Sequence, residues 1–191
     1  MRILAVAGSS GGHIFPAVTF LDECKAKDPL TQTLLVLPYR AAEKGLVPKG
    51  HPVSFISVSP LFLKPDRKGV LALFNFIKGF FQSVVILSRF KPDIVAGFGS
   101  IPSIPVVLCA WFFRITTVIH EQNVQPGRAT FLLAHVADKI AVSFAQTEEF
   151  LYHSRSKIVR TGNAIRAELK KVDRVNALDF FGLKSGNTTI L

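Results

Sequence analysis

Ile3-Leu4-Ala5-Val6-Ala7-Gly8-Ser9-Ser10-Gly11-Gly12-His13-Ile14-Phe15-Pro16-Ala17 is an apolar run that breaks into glycines and then opens a helix-period segment. A short buried strand followed in this way sets unpaired backbone N–H groups and a positive helix end at one spot, which suits a phosphate or a developing negative charge. The spacing is neither the G-x-G-x-x-G of a dinucleotide loop nor a P-loop, since no Gly-Lys-Ser/Thr follows. What the loop adds is His13, an imidazole of the kind suited to proton transfer, at its mouth. The plainer alternative is a tight strand-to-helix turn whose histidine caps the helix or faces solvent.

Working outward, apolar runs rich in β-branched residues alternate with helix-period segments, the pattern of a parallel sheet covered on both faces. Strands are expected at 2–7, 32–37, 53–58, 93–97, 116–120, 138–142 and 157–160. Helices are expected at 14–27, 69–90, 103–113 and 127–135, with shorter ones around 146–152 and 40–46. The fold class is therefore α/β, a doubly wound parallel sheet, which takes its ligands at the carboxyl ends of the strands where the strand order reverses. Residues 1–163 form the expected domain, 164–187 a charged linker or helix, and 188–191 the first strand of a further domain.

The chain has 191 residues, 49% of them hydrophobic, enough apolar surface for one sizeable core. A net charge of +10 favours an acidic partner: a phosphorylated substrate, an anionic membrane surface or nucleic acid. No nucleic-acid-binding motif accompanies that charge, so no nucleic-acid partner is expected. Cys24 and Cys109 stand far apart with no ligand spacing near either. Neither a zinc site nor a disulfide framework is indicated, no metal or cofactor is expected, and a reduced cytosolic setting fits best. The apolar run before Gly8 is too short for a secretory signal and is better used as a strand.

Two further strand ends carry polar groups. Gly97-Phe98-Gly99-Ser100-Ile101 repeats the strand–glycine–helix pattern, and two such loops in one sheet imply a common cleft. His120-Glu121-Gln122-Asn123, followed by Pro126-Gly127, can donate and accept hydrogen bonds to a hydroxyl-rich ligand. Either His120 or Glu121 in it could act as an acid, a base or an orienting partner. A fourth strand end, Thr161-Gly162-Asn163-Ala164-Ile165-Arg166, offers an arginine suited to phosphate or carboxylate.

The stretch 61–91 is the most hydrophobic. Asn75, Lys78, Gln82 and Arg89 fall at helical spacing within it, a narrow polar stripe opposite a broad apolar face. Most of that face is expected to pack on the sheet, with the phenylalanines beside Lys64, Arg67, Lys68 and Lys78 leaving part of it for an anionic bilayer.

As a set, the loops at 11–17 and 120–127 and the order and spacing of all four resemble the MurG family of peptidoglycan glycosyltransferases. These move N-acetylglucosamine from UDP-N-acetylglucosamine onto undecaprenyl-diphosphate-linked muramoyl-pentapeptide. The resemblance covers nearly the whole chain and implies the N-terminal, Rossmann-like, acceptor-binding half of a GT-B glycosyltransferase. It further implies an inverting transfer and peripheral attachment at the cytoplasmic face of the plasma membrane. By the same resemblance, donor contacts fall on Ser10, Gly11, Gly12, Asn123 and Arg166. Acceptor or diphosphate contacts fall on Gly97, Gly99, Ser100, His120 and Gln122. His13 is the first candidate for the base that takes the acceptor proton and Glu121 the second. Two loops depart from the family pattern: Gly99-Ser100-Ile101 stands where it has Gly-Gly-Tyr, and Asn163-Ala164-Ile165-Arg166 where it has Asn-Pro-Val-Arg. The rival reading is a membrane-anchoring, acceptor-side subunit of a split lipid-linked-sugar transferase.

Overall fold

Along the first strand, Ile3, Ala5 and Ala7 turn to one side of a sheet and Leu4 and Val6 to the other, and all five are buried. Period-two alternation with both sides apolar means that helices cover both faces. The computed structural model describes residues 1–58, 67–165 and 173–184. Its strands are β1 (Arg2–Ala7), β2 (Gln32–Pro38), β3 (Val53–Ile56), β4 (Ile94–Phe98), β5 (Thr116–Glu121), β6 (Lys139–Val142) and β7 (Ile158–Arg160). Every pairing is parallel, in the order β3-β2-β1-β4-β5-β6-β7. The order reverses between β1 and β4, so the crevice of the doubly wound sheet opens where the first two glycine loops leave it.

The helices are α1 (Gly11–Lys27), α2 (Tyr39–Glu43), α3 (Arg67–Phe90), α4 (Ser103–Phe112), α5 (Arg128–Ala134), α6 (Thr147–Phe150) and α7 (Arg174–Phe180), with a 3-10 turn over Tyr152–Lys157. One core sets Ile14, Ala17 and Leu21 of α1 against Ile3, Ala5, Leu35, Leu37 and Phe98. On the opposite face Leu87, Val106, Val107 and Leu133 cover Leu4, Val6, Val95, Ile119 and Ile140. Truncating a fully buried leucine such as Leu4 costs about 2–5 kcal/mol. Lysines at the end of α1, Lys25 and Lys27, complement its negative terminus.

All seven strands expected between residues 2 and 160 are present. The helix expected from residue 14 begins instead at Gly11, because the Ser10 carbonyl already accepts from the His13 and Ile14 amides at 3.1 and 3.0 Å. Gly11, Gly12 and His13 are thus the first turn of α1, and the loop proper is Gly8–Ser10. The expected strand 188–191, the Arg166 side chain, Lys64, and the side chains of Arg67 and Lys68 lie outside the described residues. Within the expected linker, α7 packs no residue into the core.

Helix α3 corrects the expectation that its apolar face is core. Its inner side carries Ala72, Gly79, Ser83 and Leu87, and a Cβ on Gly79 would lie 2.6 Å from the Ser57 carbonyl oxygen. Gln82, read as part of a solvent-facing stripe, turns inward, and its Oε1 accepts from the Ser57 amide at 2.7 Å just past β3. Val70, Leu71, Leu73, Phe74, Ile77, Phe81 and Val85 face out, with Phe74 63% and Phe81 68% exposed. The small residues decide the orientation: only they let the helix backbone approach the end of β3 this closely. Gly69–Phe90 is long and apolar enough to cross a membrane, yet Leu87, Val84, Ile86 and Phe90 along it are packed into the domain core.

Candidate active site

The loops after β1, β4 and β5 meet at the carboxyl edge of the sheet. Glycine is required at two of their contacts. A Cβ on Gly8 would stand 2.6 Å from Ser100 Cβ and 3.1 Å from His13 Cδ2. A Cβ on Gly99 would stand 3.2 Å from His13 Cε1, 3.3 Å from His13 Nδ1 and 3.7 Å from Gln122 Oε1. The His13 ring is thus held between the first and second loops, with the third loop beside it. Gly99 and Ser100 both have left-handed backbone, φ +72° and +66°. Ser103, the first residue of α4, donates its hydroxyl to the Gly99 carbonyl at 2.6 Å. Helices α1 and α4 both begin at this edge. The leading amides of α1, Gly11 and Gly12, lack an intrahelical acceptor. In α4, Ser103 and Ile104 donate to the Ser100 and Ile101 carbonyls at 3.2 and 3.0 Å and Pro105 has no N–H, so α4 contributes its dipole alone. Two positive helix ends aimed at one crevice favour a negatively charged ligand.

Gly97 stands inside β4, paired with Val6 and Ile119. A Cβ there would meet Val107 Cγ2 at 3.0 Å, so this glycine lets α4 close on the sheet and is not a loop residue. Glu121 ends β5 and is only 2% exposed. Its Oε1 accepts from the Asn123 amide at 3.0 Å and the Asn123 side chain at 3.1 Å; its Oε2 accepts from the Gly127 amide at 3.1 Å and the Thr130 hydroxyl at 2.5 Å. A carboxylate with both oxygens so engaged is a brace for the third loop, which removes the geometric case for Glu121 as a proton acceptor. Asn123 is exposed at the tip of that brace, its backbone carbonyl accepting from the Thr147 hydroxyl at 3.0 Å.

His120 is buried against the Phe98 ring at 5.4 Å between centroids, with Nε2 3.1 Å from the Gly162 carbonyl. Burial holds its pKa below the usual histidine range, against the opposing effects of the Gly162 carbonyl and the Glu121 charge. The neutral ring therefore donates Nε2–H to Gly162 and ties the third loop to the fourth. Gln122 donates its amide N–H to the Phe98 carbonyl at 3.5 Å. Ser10 and Gly12 are exposed at the start of α1, with Gly11 half-buried beside them. The structure thus gathers Ser10, Gly11, Gly12, His13, Gly99, Ser100, Gln122 and Asn123 at one edge, and sets Gly97, His120 and Glu121 behind them. The brace of Thr130 and Gly127 on Glu121 went unread in the sequence; a buried acid at a strand end followed by a helix-starting Gly-x-x-Thr is the signal that could have found it. Among the described residues no group of three or more His, Cys, Asp or Glu side chains is placed to hold a metal ion.

Two curated relatives match the whole length of this chain. The UDP-N-acetylglucosamine–N-acetylmuramyl-(pentapeptide) pyrophosphoryl-undecaprenol N-acetylglucosamine transferase of Thermodesulfovibrio yellowstonii is 35% identical over all of the chain and 52% of its own length. The transferase of the same name from Protochlamydia amoebophila is also 35% identical, over 50% of its length. The chain spans about half the length of the curated relatives it matches. The fold is similar to that of Acinetobacter baumannii MurG, with a TM-score of 0.68 at 23% identity over 88% of this chain and 48% of that one. It is also similar to the UDP-GlcNAc 2-epimerase of Methanocaldococcus jannaschii, with a TM-score of 0.64 at 14% identity over 97% of this chain and 54% of that one. The glycosyltransferase family 28 N-terminal domain matches residues 3–142, from β1 to the end of β6, and the chain accordingly belongs to glycosyltransferase family 28.

Proposed function

We propose that this chain is the acceptor-side domain of an inverting transferase that moves N-acetylglucosamine from UDP-N-acetylglucosamine onto lipid-linked muramoyl-pentapeptide at the cytoplasmic face of the plasma membrane. The observation that carries the reading is the His13 ring held between Gly8 and Gly99 at the edge where α1 and α4 begin. The relatives of the same family bear that activity in their names.

In this reaction the acceptor hydroxyl oxygen attacks the anomeric carbon of the sugar while the bond from that carbon to the diphosphate oxygen breaks. UDP departs with the electron pair, and His13 takes the hydroxyl proton. The first turn of α1, the positive end of the α4 dipole and the left-handed Gly99-Ser100 backbone stabilise the growing negative charge. Ser10, Gly11, Gly12 and Asn123 reach the donor from this side, while Gln122 and Ser100 border the acceptor. Arg166, by resemblance, joins the donor contacts.

A lipid-linked acceptor is met at the bilayer surface, and the outward face of α3 suits that encounter. Its exposed Phe74, Ile77 and Phe81 border a groove of about 550 Å³ beside Phe55 of β3, with Lys78 on the rim. An apolar patch rimmed by positive charge docks on an anionic leaflet without crossing it. The same face would serve an anchoring subunit without catalytic groups of its own. Transfer of labelled sugar from UDP-N-acetylglucosamine to the lipid-linked acceptor by the complete transferase, with and without His13→Ala, separates the two. Unchanged transfer by the variant would remove His13 from the chemistry and favour the anchoring reading.

A further inference from the structure

Among the described residues three buried side-chain polar atoms have no hydrogen-bond partner in the protein: His13 Nδ1, Gln122 Oε1 and, behind them, His120 Nδ1. The first two lie against the same point, the side of Gly99 where a side chain would begin, at 3.3 and 3.7 Å. Buried polar groups are seldom left unmatched, and two that share one gap are matched by each other or through one water.

The orientation of the Gln122 amide decides what passes between them. Its nitrogen donates to the Phe98 carbonyl, so the oxygen is the end turned to Gly99, and that oxygen only accepts. An imidazole nitrogen facing it with a lone pair would set two acceptors together. A nitrogen bearing a proton satisfies both.

We infer that Gln122 is a positioning residue for His13: through the gap over Gly99 it holds the proton on Nδ1 and so leaves the lone pair on Nε2. Nε2 is the ring atom between Cε1, which faces Gly99, and Cδ2, which faces Gly8. The basic nitrogen is thereby fixed between the two glycine loops. Glu121 supports the device from behind, since it pins Asn123 and Gly127 and with them the loop that carries Gln122. Gly99 must lack a side chain for a second reason beyond its positive φ: a Cβ would fill the gap itself. This inference rests on the reading of His13 as the base, and it assigns Gln122 a task different from acceptor contact.

The experiment reads the proton directly. In the 191-residue chain labelled with 15N, two-bond 1H–15N correlations of the neutral His13 ring distinguish Nδ1–H from Nε2–H. The expected result is Nδ1–H in the native chain and in Gln122→Glu, which keeps an acceptor oxygen. In Gln122→Met, which keeps the length and loses the acceptor, the ring shifts to Nε2–H or a mixture. A predominantly Nε2–H ring in the native chain, or an unchanged ring in Gln122→Met, overturns the inference.

Kinetics on the complete transferase separates this from the base assignment. Gln122→Met is expected to lower kcat at least about tenfold with KM for the donor held within about threefold, and Gln122→Glu to restore most of it. If the tautomer responds as stated while His13→Ala leaves kcat unchanged, the base reading fails and the proton placement stands. If His13→Ala removes turnover while Gln122→Met alters neither tautomer nor kcat, the positioning role fails alone.

Discussion

Gly8 and Ser100 touch across the point where the strand order reverses: a methyl group on Gly8 would stand 2.6 Å from Ser100 Cβ and 2.7 Å from its hydroxyl oxygen. The first and second loops are therefore seated on each other, and His13 is seated on both. Gly8→Ala must push the second loop outward, since the Ser100 backbone at φ +66° has little room to adjust. The expected cost is about 1–3 kcal/mol of stability, read by urea unfolding. Turnover should fall with it, because His13 Cδ2 lies 3.1 Å from the same added atom.

His13→Ala tests the chemical step. Loss of a general base removes about 10²–10⁴ in rate, while the donor contacts proposed for the helix end and Asn123 are left in place. Steady-state kinetics of the complete transferase should show kcat reduced in that range and KM for UDP-N-acetylglucosamine nearly unchanged. An unchanged kcat would reduce His13 to a packing residue of the first turn.

Glu121→Ala should behave as a folding defect. The substitution strips the acceptor from two backbone amides, the Asn123 side chain and the Thr130 hydroxyl. Each hydrogen bond to a buried charge is worth about 1.5–3 kcal/mol, so a loss on the order of 3 kcal/mol or more is expected in denaturant unfolding. A variant of native stability with a selective loss of kcat would instead return Glu121 to the chemistry.

Burial also gives His120 a signature in pH. In the unfolded chain its pKa is near 6.5; in the folded chain it is lower. Between the two values the unfolded state binds more protons, so stability is fully present above about pH 6.5 and is lost as the pH falls through the folded value. Unfolding midpoints measured from pH 7.5 to 5 should decline on acidification. His120→Gln should flatten that decline, and an identical slope in the variant would place the titration elsewhere.

Membrane attachment is expected to depend on the outer face of α3. Co-sedimentation with vesicles containing anionic lipid should be strong at low salt and weaker at high salt, each basic side chain at the leaflet contributing about 1 kcal/mol. Replacing Phe74 and Phe81 by serine should reduce binding at both salt concentrations, because the apolar contribution is not screened. Replacing Lys78 by glutamine should reduce it chiefly at low salt. Equal binding by all of these proteins would move the contact off this helix.

The seven strands were legible because a parallel sheet buried on both faces demands unbroken β-branched runs, and Ile3–Ala7, Thr116–Ile119 and Lys139–Val142 have little else to become. The meeting of the loops followed from strand order, which places the ends of β1 and β4 side by side. The orientation of α3 did not follow. Helical period locates a polar stripe at Asn75, Lys78 and Gln82 but says nothing about which side turns inward, and that was settled by the close approach of Gly79 to Ser57. The surroundings of Glu121 were hidden for a similar reason. An acid at a strand end reads as chemistry until its partners are known, and Gly127 and Thr130 come to it through the bend over 123–125 that leads into α5.

A helix that turns its phenylalanines outward changes what this protein is in plain water. Phe74 and Phe81 have nothing apolar to rest on there except a detergent micelle or another copy. Sedimentation profiles taken with and without a mild detergent are therefore expected to differ, and replacing those side chains should remove the difference.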